Sequence, residues 1–507
     1  MRLNLKKMDK ERDELYSHVL KFTGVFGGVQ GLNVVIGLVR NKLIAVLLGP
    51  EGMGLASLFN TTVNFISQAT NLGISISAVK HVATLYDEND AEKIAHFVKV
   101  VRVWSLITAL IGMAVCVLVG PLLSNCTFSW GDHTLHFVLL SPAVGLLAIT
   151  GGETAILKGT RRLRSLATIQ IYTIFAALVI SVPLYFYFGQ TAIVPVIVSL
   201  ALISMLFTIR YSYRLFPLRL NGSRGVLGEG MSMVKLGVAF VMAGIMGSGA
   251  EMLIRSYLNV TGDLDVVGLY NAGFMLTITY ASMVFSAMET DYYPRLSSVG
   301  NDVSQLNLTV NRQIEVSLLI ISPMLAVLII GLPVLMPLLY SSKFLPVIAM
   351  AQVAVFSMYV KSISLPISYI TLAKGDSVAY MILEGCYDIV FVLLVVAGYH
   401  LWGLYGTGVA LSLSYVFDFF IVGGYAYFHY HYRLSGQVVF YAAIQLALGV
   451  SVYLVSLLEN PLLYWSLGAL LCLVSLLISV YILHQKTSLW AALVNKFKAR
   501  FVRHAEG

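Results

Sequence analysis

Apolar runs long enough to cross a lipid bilayer recur fourteen times along this chain of 507 residues. A spanning helix needs about 20 mostly apolar residues, and lipid offers no water to an unpaired backbone, so such runs must fold as helices. Only 11% of the residues are Asp, Glu, Lys or Arg, against about 25% in an ordinary soluble domain. The sequence therefore excludes a soluble globular protein and predicts an all-α polytopic membrane protein with about 14 transmembrane helices. The predicted spans are residues 20–39, 54–79, 98–119, 135–157, 167–188, 192–209, 234–260, 267–288, 316–339, 347–372, 379–399, 405–428, 438–457 and 462–483.

The basic residues predict the orientation of these spans. Of the 33 Lys and Arg, all but five lie in the N-terminal segment, in the C-terminal tail, or in and beside the loops that follow even-numbered spans. Because basic residues accumulate on the cytoplasmic side, both termini are expected to be cytoplasmic. This asymmetry also accounts for the net charge of +8, so we expect no nucleic-acid partner. The five exceptions are Arg40, Lys42, Arg255, Lys343 and Lys361.

Two segments that open even-numbered spans are similar in sequence. LLGPEGMGLASLFN begins at residue 47 and LDVVGLYNAGFML at residue 264, and their alignment places Gly54 opposite Gly268. Parallel repeats of this kind are a known transporter plan, with the substrate route between the halves. We therefore expect two pseudo-symmetric six-helix lobes around a central cavity, followed by a C-terminal helix pair. The predicted organisation is a cytoplasmic N-terminal segment at 1–18, an N-lobe at 19–225, a C-lobe at 226–430, the helix pair at 431–485 and a basic cytoplasmic tail at 486–507.

Several motifs resemble those of polysaccharide flippases in the MOP superfamily, and most closely the Wzx-type translocases of O-antigen and related intermediates. The resemblance implies a protein of the bacterial inner (plasma) membrane that moves a lipid-linked oligosaccharide from the cytoplasmic to the outer leaflet. It also implies a glycan-assembly polymerase as a candidate partner. Many members of this group have twelve spans, whereas this sequence predicts fourteen. The motifs are KLIAVLLGPEGMGLASLF at 42–59, NLGISISAVKHVATLYD at 71–87, LKGTRRLRSLA at 157–167, VGLYNAGFML at 267–276, DYYPRLSS at 291–298, LYSSKF at 339–344 and YITLAKGDSVAYMILEG at 369–385.

Four basic residues are candidates for binding an anionic substrate, because a charge inside a span usually faces a partner or a hydrated cavity. Lys361 ranks first, since no acidic residue lies near it in its own span, and the Wzx-like sequences resemble this one in having a lysine there. Arg255 is preceded by Glu251 at helical spacing, so an intrahelical ion pair is the alternative. Arg40 could equally be an interfacial anchor, Lys80 a topological charge, and Lys361 a snorkelling or interhelical lysine.

Four acidic residues are candidates for coupling transport to protons or ions. Glu384 and Asp388 are four positions apart in one span, and two carboxylates on one helical face repel each other unless they share a proton. Separate hydrogen bonds to neighbouring helices are the alternative. Glu153 and Asp418 are solitary acids in their spans. The four isolated cysteines and the scattered histidines form no metal-ligand pattern, and no cofactor is expected.

Three functions compete at this point. A flippase for an undecaprenyl-diphosphate-linked oligosaccharide agrees with the midspan cations and with the family resemblance. A MATE-like exporter of cations or drugs would be expected to have an acidic cavity instead. A membrane-embedded glycan polymerase or ligase would need a larger outer loop than the short ones predicted here, such as 189–191 and 400–403. No GxxxxGK[ST] motif is present, so this chain is expected to act as a transporter that does not itself hydrolyse ATP.

Overall fold

A computed structural model describes residues 2–88, 90–128, 131–217, 226–300 and 302–486, and within these ranges every regular element is helical. The all-α prediction is therefore confirmed. Most of the predicted basic tail (486–507) and part of the predicted inner loop 210–225 lie outside the described residues. The α-helices are α1 (Arg2–Thr70), α2 (Ile74–Asp87), α3 (Ala91–Thr127), α4 (Thr134–Gly159), α5 (Leu163–Phe188), α6 (Ile193–Leu215), α7 (Val226–Thr261), α8 (Leu264–Phe274), α9 (Tyr280–Ser297), α10 (Val303–Leu339), α11 (Ile348–Ala354), α12 (Phe356–Ala373), α13 (Ser377–Tyr430), α14 (Gly436–Ser456) and α15 (Pro461–Lys486).

Nine helices in the described ranges are long and apolar enough to cross a membrane, and a bent pair of helices adds a tenth. Two of the nine, Arg164–Leu215 and Ser377–Tyr430, have 52 and 54 residues. Each has about twice the length that one crossing requires, so each provides two spans. The described residues thus contain twelve spans, which is roughly consistent with the expected total of about fourteen.

Glycines mark two of the sharp turns between consecutive spans. Within α1, Gly49 has φ 67° and ψ −173° and is followed by Pro50. Within α13, Gly403 has φ 57° and ψ −142°. A side chain at either position would be strained, because positive φ with extended ψ is accessible essentially to glycine alone. These turns separate the predicted spans one and two, and eleven and twelve, without any intervening loop.

The described residues divide into two compact units. Unit 1 comprises Met1–Gly268 with Leu338–Ser341, and unit 2 comprises Leu269–Pro337 with Ser342–Gly507. In unit 1, α3 packs along α4, and α1 packs against α5 and α7. In unit 2, α12 packs against α13, and α14 against α15. The lobe boundaries predicted from the sequence, 19–225 and 226–430, stay predictions.

The two glycines that the repeat aligns, Gly54 and Gly268, both lie where helix backbones in unit 1 touch. A Cβ atom on Gly54 would lie 2.1 Å from the Leu264 carbonyl oxygen, and one on Gly268 would lie 1.9 Å from the Pro50 carbonyl oxygen. Small residues allow helices in a membrane to approach this closely. Both carbonyls belong to the backbone and cannot turn aside as a flexible side chain would. A larger residue at either position must therefore push α1 and α8 apart.

Replacing either glycine should therefore destabilise the protein. We expect Gly54→Ala and Gly268→Ala each to cost about 1–3 kcal/mol, the usual range for overpacking. The measurement is thermal unfolding of the detergent-purified protein followed by size-exclusion chromatography. Gly424→Ala is the control, because a Cβ atom there would meet nothing within 4 Å. Equal melting temperatures for all three variants would contradict the close contact.

Asp376 joins the two ends of the long helix α13. Its carboxylate caps the helix by accepting a hydrogen bond from the Ala379 N–H at 3.1 Å, and it also accepts bonds from the Tyr425 and Tyr430 hydroxyls at 3.0 Å each. His429 Nε2 lies 4.0 Å away. Burial raises the pKa of Asp376, but these hydrogen bonds favour the charged carboxylate and together hold the pKa below its usual value. The start of span eleven is thus fixed to the end of span twelve.

The Asp376 cap should contribute stability that depends on pH. Because the pKa is lower in the folded protein than in the unfolded one, this stability is present above about pH 4 and is lost as the pH falls through the lowered pKa. Asp376→Ala should cost about 0.5–2 kcal/mol at neutral pH. Asp376→Asn keeps a capping oxygen, so it should cost less and weaken the acid sensitivity. Thermal unfolding between about pH 7 and pH 3 measures this, and identical pH profiles for the Asp376→Asn variant and the wild type would contradict it.

Candidate functional site

Arg255 is held inside unit 1 by groups from two helices. Its side chain lies on α7 and is 5% exposed. Its Nε donates to Ser57 Oγ of α1 at 2.9 Å, and its Nη1 donates to Glu251 Oε2 at 3.2 Å. The sequence offered this ion pair as the alternative for Arg255, and it is formed. The exposed member of the pair is Glu251, whose side chain is 45% exposed, so contact between Arg255 and a substrate stays a prediction.

A polar cavity of about 530 Å³ adjoins Glu251 within unit 1. Four helices, α1, α2, α4 and α7, supply its lining. Most of the lining side chains are amides or hydroxyls, and Glu251 is the one lining residue with a formal charge. Such a lining can exchange hydrogen bonds with a hydroxyl-rich ligand. The lining residues are Thr61, Asn64, Ser67, Gln68, Asn71, Ser75, Leu147, Gly151, Gly244, Ser248 and Glu251.

This cavity is not among the sites predicted from the sequence, although the pattern of its lining residues is visible there. The polar residues at 61, 64, 68, 71 and 75 are spaced by three and four positions, and Gly244, Ser248 and Glu251 have the same spacing. This is the spacing of one helical face. Uncharged polar residues carry little weight in a search for charged groups, and the 61–75 face and the 244–251 face come together only in the folded chain.

Two further basic candidates of unit 1 occupy different places. Arg40 on α1 is half-buried, and its Nε donates to Ser181 Oγ of α5 at 3.3 Å. Lys80 is exposed on α2 and lines a separate cavity of about 740 Å³. That cavity lies between the end of α2 and the start of α3, so Lys80 and Arg255 do not share a pocket. The residues of this second cavity are Lys80, His81, Thr84, Leu85, Glu92, Lys93, His96 and Phe97.

Lys361 of unit 2 lies among groups from neighbouring helices. Its Nζ donates to Ser282 Oγ of α9 at 3.0 Å and lies 5.5 Å from the centre of the Tyr415 ring. Asp418 and Glu384, both on α13, are close enough to interact with it electrostatically. Lys361 has no acid nearby in its own span, as the sequence shows, but the fold supplies acids from another helix.

The predicted ion-coupling residues separate into two groups. Glu384 lies within electrostatic range of Asp388, Asp418 and Lys361. These three carboxylates of α13 and one lysine therefore form a mixed-charge cluster in unit 2, where proton uptake would change the balance of charge. The role of this cluster in coupling stays a prediction. In the described part of the chain, no group of three His, Cys, Asp or Glu residues could hold a metal ion.

Glu153 belongs to a different arrangement in unit 1. Arg102 of α3 donates through Nε to Glu153 Oε1 at 2.8 Å and through Nη2 to Oε2 at 3.4 Å. The same Nη2 donates to Ser212 Oγ of α6, and the guanidinium lies 4.1 Å from the centre of the Tyr213 ring. Glu153 is 3% exposed. Glu153 is thus engaged in a buried ion pair, and its role in coupling stays a prediction.

Comparison with solved structures identifies the class of fold. An inward-facing multidrug resistance MATE family transporter of the MOP superfamily matches with a TM-score of 0.67 at 14% identity, covering 81% of this chain and 98% of that chain. The lipid II flippase MurJ, in an inward closed conformation, matches with a TM-score of 0.69 at 15% identity, covering 91% of this chain and 99% of that chain. A MOP superfamily transporter from Pyrococcus furiosus matches with a TM-score of 0.58 at 14% identity, covering 81% and 94%. At these identities the likeness establishes the fold, which is that of MOP superfamily transporters.

Sequence comparison identifies the family. Residues 43–349 match the model of the family described as "Polysaccharide biosynthesis protein", and this chain belongs to that family. A search of curated proteins finds no match. These comparisons confirm the resemblance to polysaccharide flippases at the level of the family and of the MOP superfamily fold. They also agree with a membrane protein of several spans.

The Arg102–Glu153 pair should act as a structural unit. Glu153→Ala leaves the Arg102 charge buried without its partner, and we expect a loss of about 3–5 kcal/mol. Replacing both charges with apolar residues, as in Arg102→Met with Glu153→Leu, should recover most of this loss, because no unpaired charge remains. Thermal unfolding in detergent compares the variants. A double variant as unstable as Glu153→Ala would contradict this role.

Proposed function

We propose that this protein is a flippase for an undecaprenyl-diphosphate-linked oligosaccharide, such as an O-antigen repeat unit. It moves this lipid from the cytoplasmic to the periplasmic leaflet of the bacterial inner membrane by alternating access, and both of its termini are cytoplasmic. Family membership and the MOP superfamily fold support a translocase that acts in polysaccharide synthesis. The neighbour MurJ is described as a lipid II flippase, which makes a lipid-linked cargo a reasonable extension to this chain.

The position of Lys361 is the observation that carries this proposal. Lys361 is the one formally charged residue in the sequence of α12. It is partly exposed within a predicted span, and its ammonium group donates to the neutral Ser282 hydroxyl. An ammonium group has three donor positions, and a charge inside a membrane costs a few kcal/mol on insertion scales. A diphosphate passing this point would accept charge-assisted hydrogen bonds from it, provided that protons neutralise the neighbouring α13 carboxylates, which would otherwise repel the diphosphate.

The chemistry of the cargo explains why such groups are needed. The polyprenyl tail can remain in lipid, whereas the diphosphate and sugars would lose their water on entering hydrocarbon. Cationic and hydroxyl side chains replace that water during passage. The mixed-charge cluster of Lys361, Glu384, Asp388 and Asp418 supplies groups through which an ion gradient would act on the transport cycle.

Export of organic cations is the second candidate function. The three carboxylates of α13 in unit 2 favour it, because acidic groups attract cationic drugs. Several structural neighbours are described as multidrug transporters. Lys361 opposes this function, since it places a positive charge within the same cluster.

Transport measured in liposomes should distinguish these functions. With a fluorescent polyprenyl-diphosphate-linked oligosaccharide, Lys361→Ala should reduce the initial rate about tenfold to hundredfold, because a charge-assisted hydrogen bond contributes about 1.5–3 kcal/mol. Lys343→Ala is the matched control, since Lys343 is exposed in the segment before α11. Wild-type rates in Lys361→Ala would contradict the proposed role. Efflux of a cationic dye without movement of the lipid would favour the second candidate, and bond formation by the purified protein would favour an enzyme.

A further inference from the structure

The polar cavity of unit 1 contains two amides for which the described residues supply no hydrogen-bond partner. Asn64 and Gln68 are exposed on α1, within the apolar candidate span Val35–Thr70, and neither forms a hydrogen bond with another described residue. An amide facing hydrocarbon would cost several kcal/mol. These two side chains therefore belong in a hydrated cavity rather than against lipid, and they are available to a polar ligand that displaces the water.

Asn71 and Ser248 add hydrogen-bonding capacity to the same cavity. Asn71 Nδ2 donates to Ser75 Oγ at 2.9 Å, while the buried Asn71 Oδ1 accepts no hydrogen bond from the described residues. Ser248 Oγ donates to the Gly244 carbonyl at 2.8 Å, so the lone pairs of its hydroxyl oxygen remain as acceptors. The exposed Asn64 and Gln68 amides together with the Ser248 oxygen thus give the cavity both donors and acceptors, as a ligand with several hydroxyl groups requires.

The charge at this cavity selects among such ligands. Arg255 and Glu251 neutralise each other, and Glu251 is the exposed member. A ligand in the cavity therefore meets a carboxylate and not a guanidinium. Neutral hydroxyls, N-acyl groups and amines can donate to that carboxylate, whereas a second carboxylate would be repelled by it. The volume of about 530 Å³ lies within the range of about 300–1,000 Å³ that is typical of small-molecule sites.

We propose that this cavity binds the sugar part of the cargo and selects uncharged or amino sugars over uronic and other acidic sugars. The inference rests on the proposed function for the identity of the cargo, but the cavity chemistry is independent of it. Asn64, Gln68, Asn71 and Glu251 are the specificity-determining residues. Lys361 keeps its separately proposed role in binding the diphosphate.

Two glycines that line the cavity from different helices provide a steric test. A methyl group on Gly244 would lie 3.8 Å from the Gln68 amide carbon, and one on Gly151 would lie 3.5 Å from Ser75 Cβ. Both are ordinary van der Waals distances, and alanine is favoured over glycine within a helix. Gly244→Ala and Gly151→Ala therefore reduce the cavity without disturbing the fold. Gly37→Ala is the matched control, because its methyl group would lie 3.8 Å from Ile174 Cδ1, away from the cavity.

The first experiment measures sugar binding without transport. Free di-N-acetylchitobiose and an unsulfated disaccharide containing glucuronic acid are titrated into the detergent-purified full chain. We expect the neutral sugar to bind at least about tenfold more tightly than the acidic one. Gly244→Ala, Gly151→Ala and Gln68→Ala should each weaken neutral-sugar binding about tenfold, in line with the effect of a single methylene or hydrogen bond in a pocket. Gly37→Ala should leave it unchanged.

The second experiment uses polyprenyl diphosphate with and without one N-acetylglucosamine residue. The cavity variants should lower the affinity for the glycosylated lipid alone, whereas Lys361→Ala should lower the affinity for both. Absent binding of the neutral disaccharide, equal binding of the acidic one, or no effect of the cavity variants would overturn the inference. Sugar binding at the cavity in a protein that moves no lipid would instead refute the flippase proposal and leave the sugar site standing.

Discussion

The cost of leaving a polar group unsatisfied in hydrocarbon governs this molecule at every level. It forces the backbone into helices, since a helix satisfies its own N–H and C=O groups. It also explains why buried polar side chains occur as pairs between helices. Arg102 binds Glu153 across α3 and α4, and Arg255 binds Ser57 across α7 and α1. Where the described residues give an amide no such partner, as in the unit 1 cavity, the same cost favours a hydrated cavity.

Close contacts between helix backbones hold the helices together in addition to these polar pairs. Lipid tails are as apolar as leucine side chains, so helices in a membrane gain little by burying apolar surface and depend on tight packing. Gly54 and Gly268 bring α1 and α8 together until backbone meets backbone. Gly398 and Gly406 do the same for the two arms of α13, where a Cβ atom on either would collide with the carbonyl of the other. Larger residues at these points would remove the contacts on which the packing rests.

The sequence predicts the parts of this structure that depend on local pattern. Apolar length predicts the spans, and helical spacing predicts the Arg255–Glu251 pair. Alignment of Gly54 with Gly268 singles out two positions of close backbone contact. What the sequence does not reveal depends on distant segments meeting. Glu153 looks solitary because Arg102 lies on another helix, and Lys361 looks unpaired because its acids lie on α13. The polar cavity of unit 1 is divided among four helices.

The α13 hairpin has a consequence for any proton-driven cycle. Its arms are joined at one end by Asp376 with Tyr425 and Tyr430, and near the other end by the Gly398–Gly406 contact. Glu384 and Asp388 lie on the first arm and Asp418 on the second. Because the two arms are joined at both ends, the hairpin sets the distances among these three acids. A proton bound by these acids would move together with the hairpin if the hairpin moves as one body. The groups that surround the acids in each state would then determine where the proton is released.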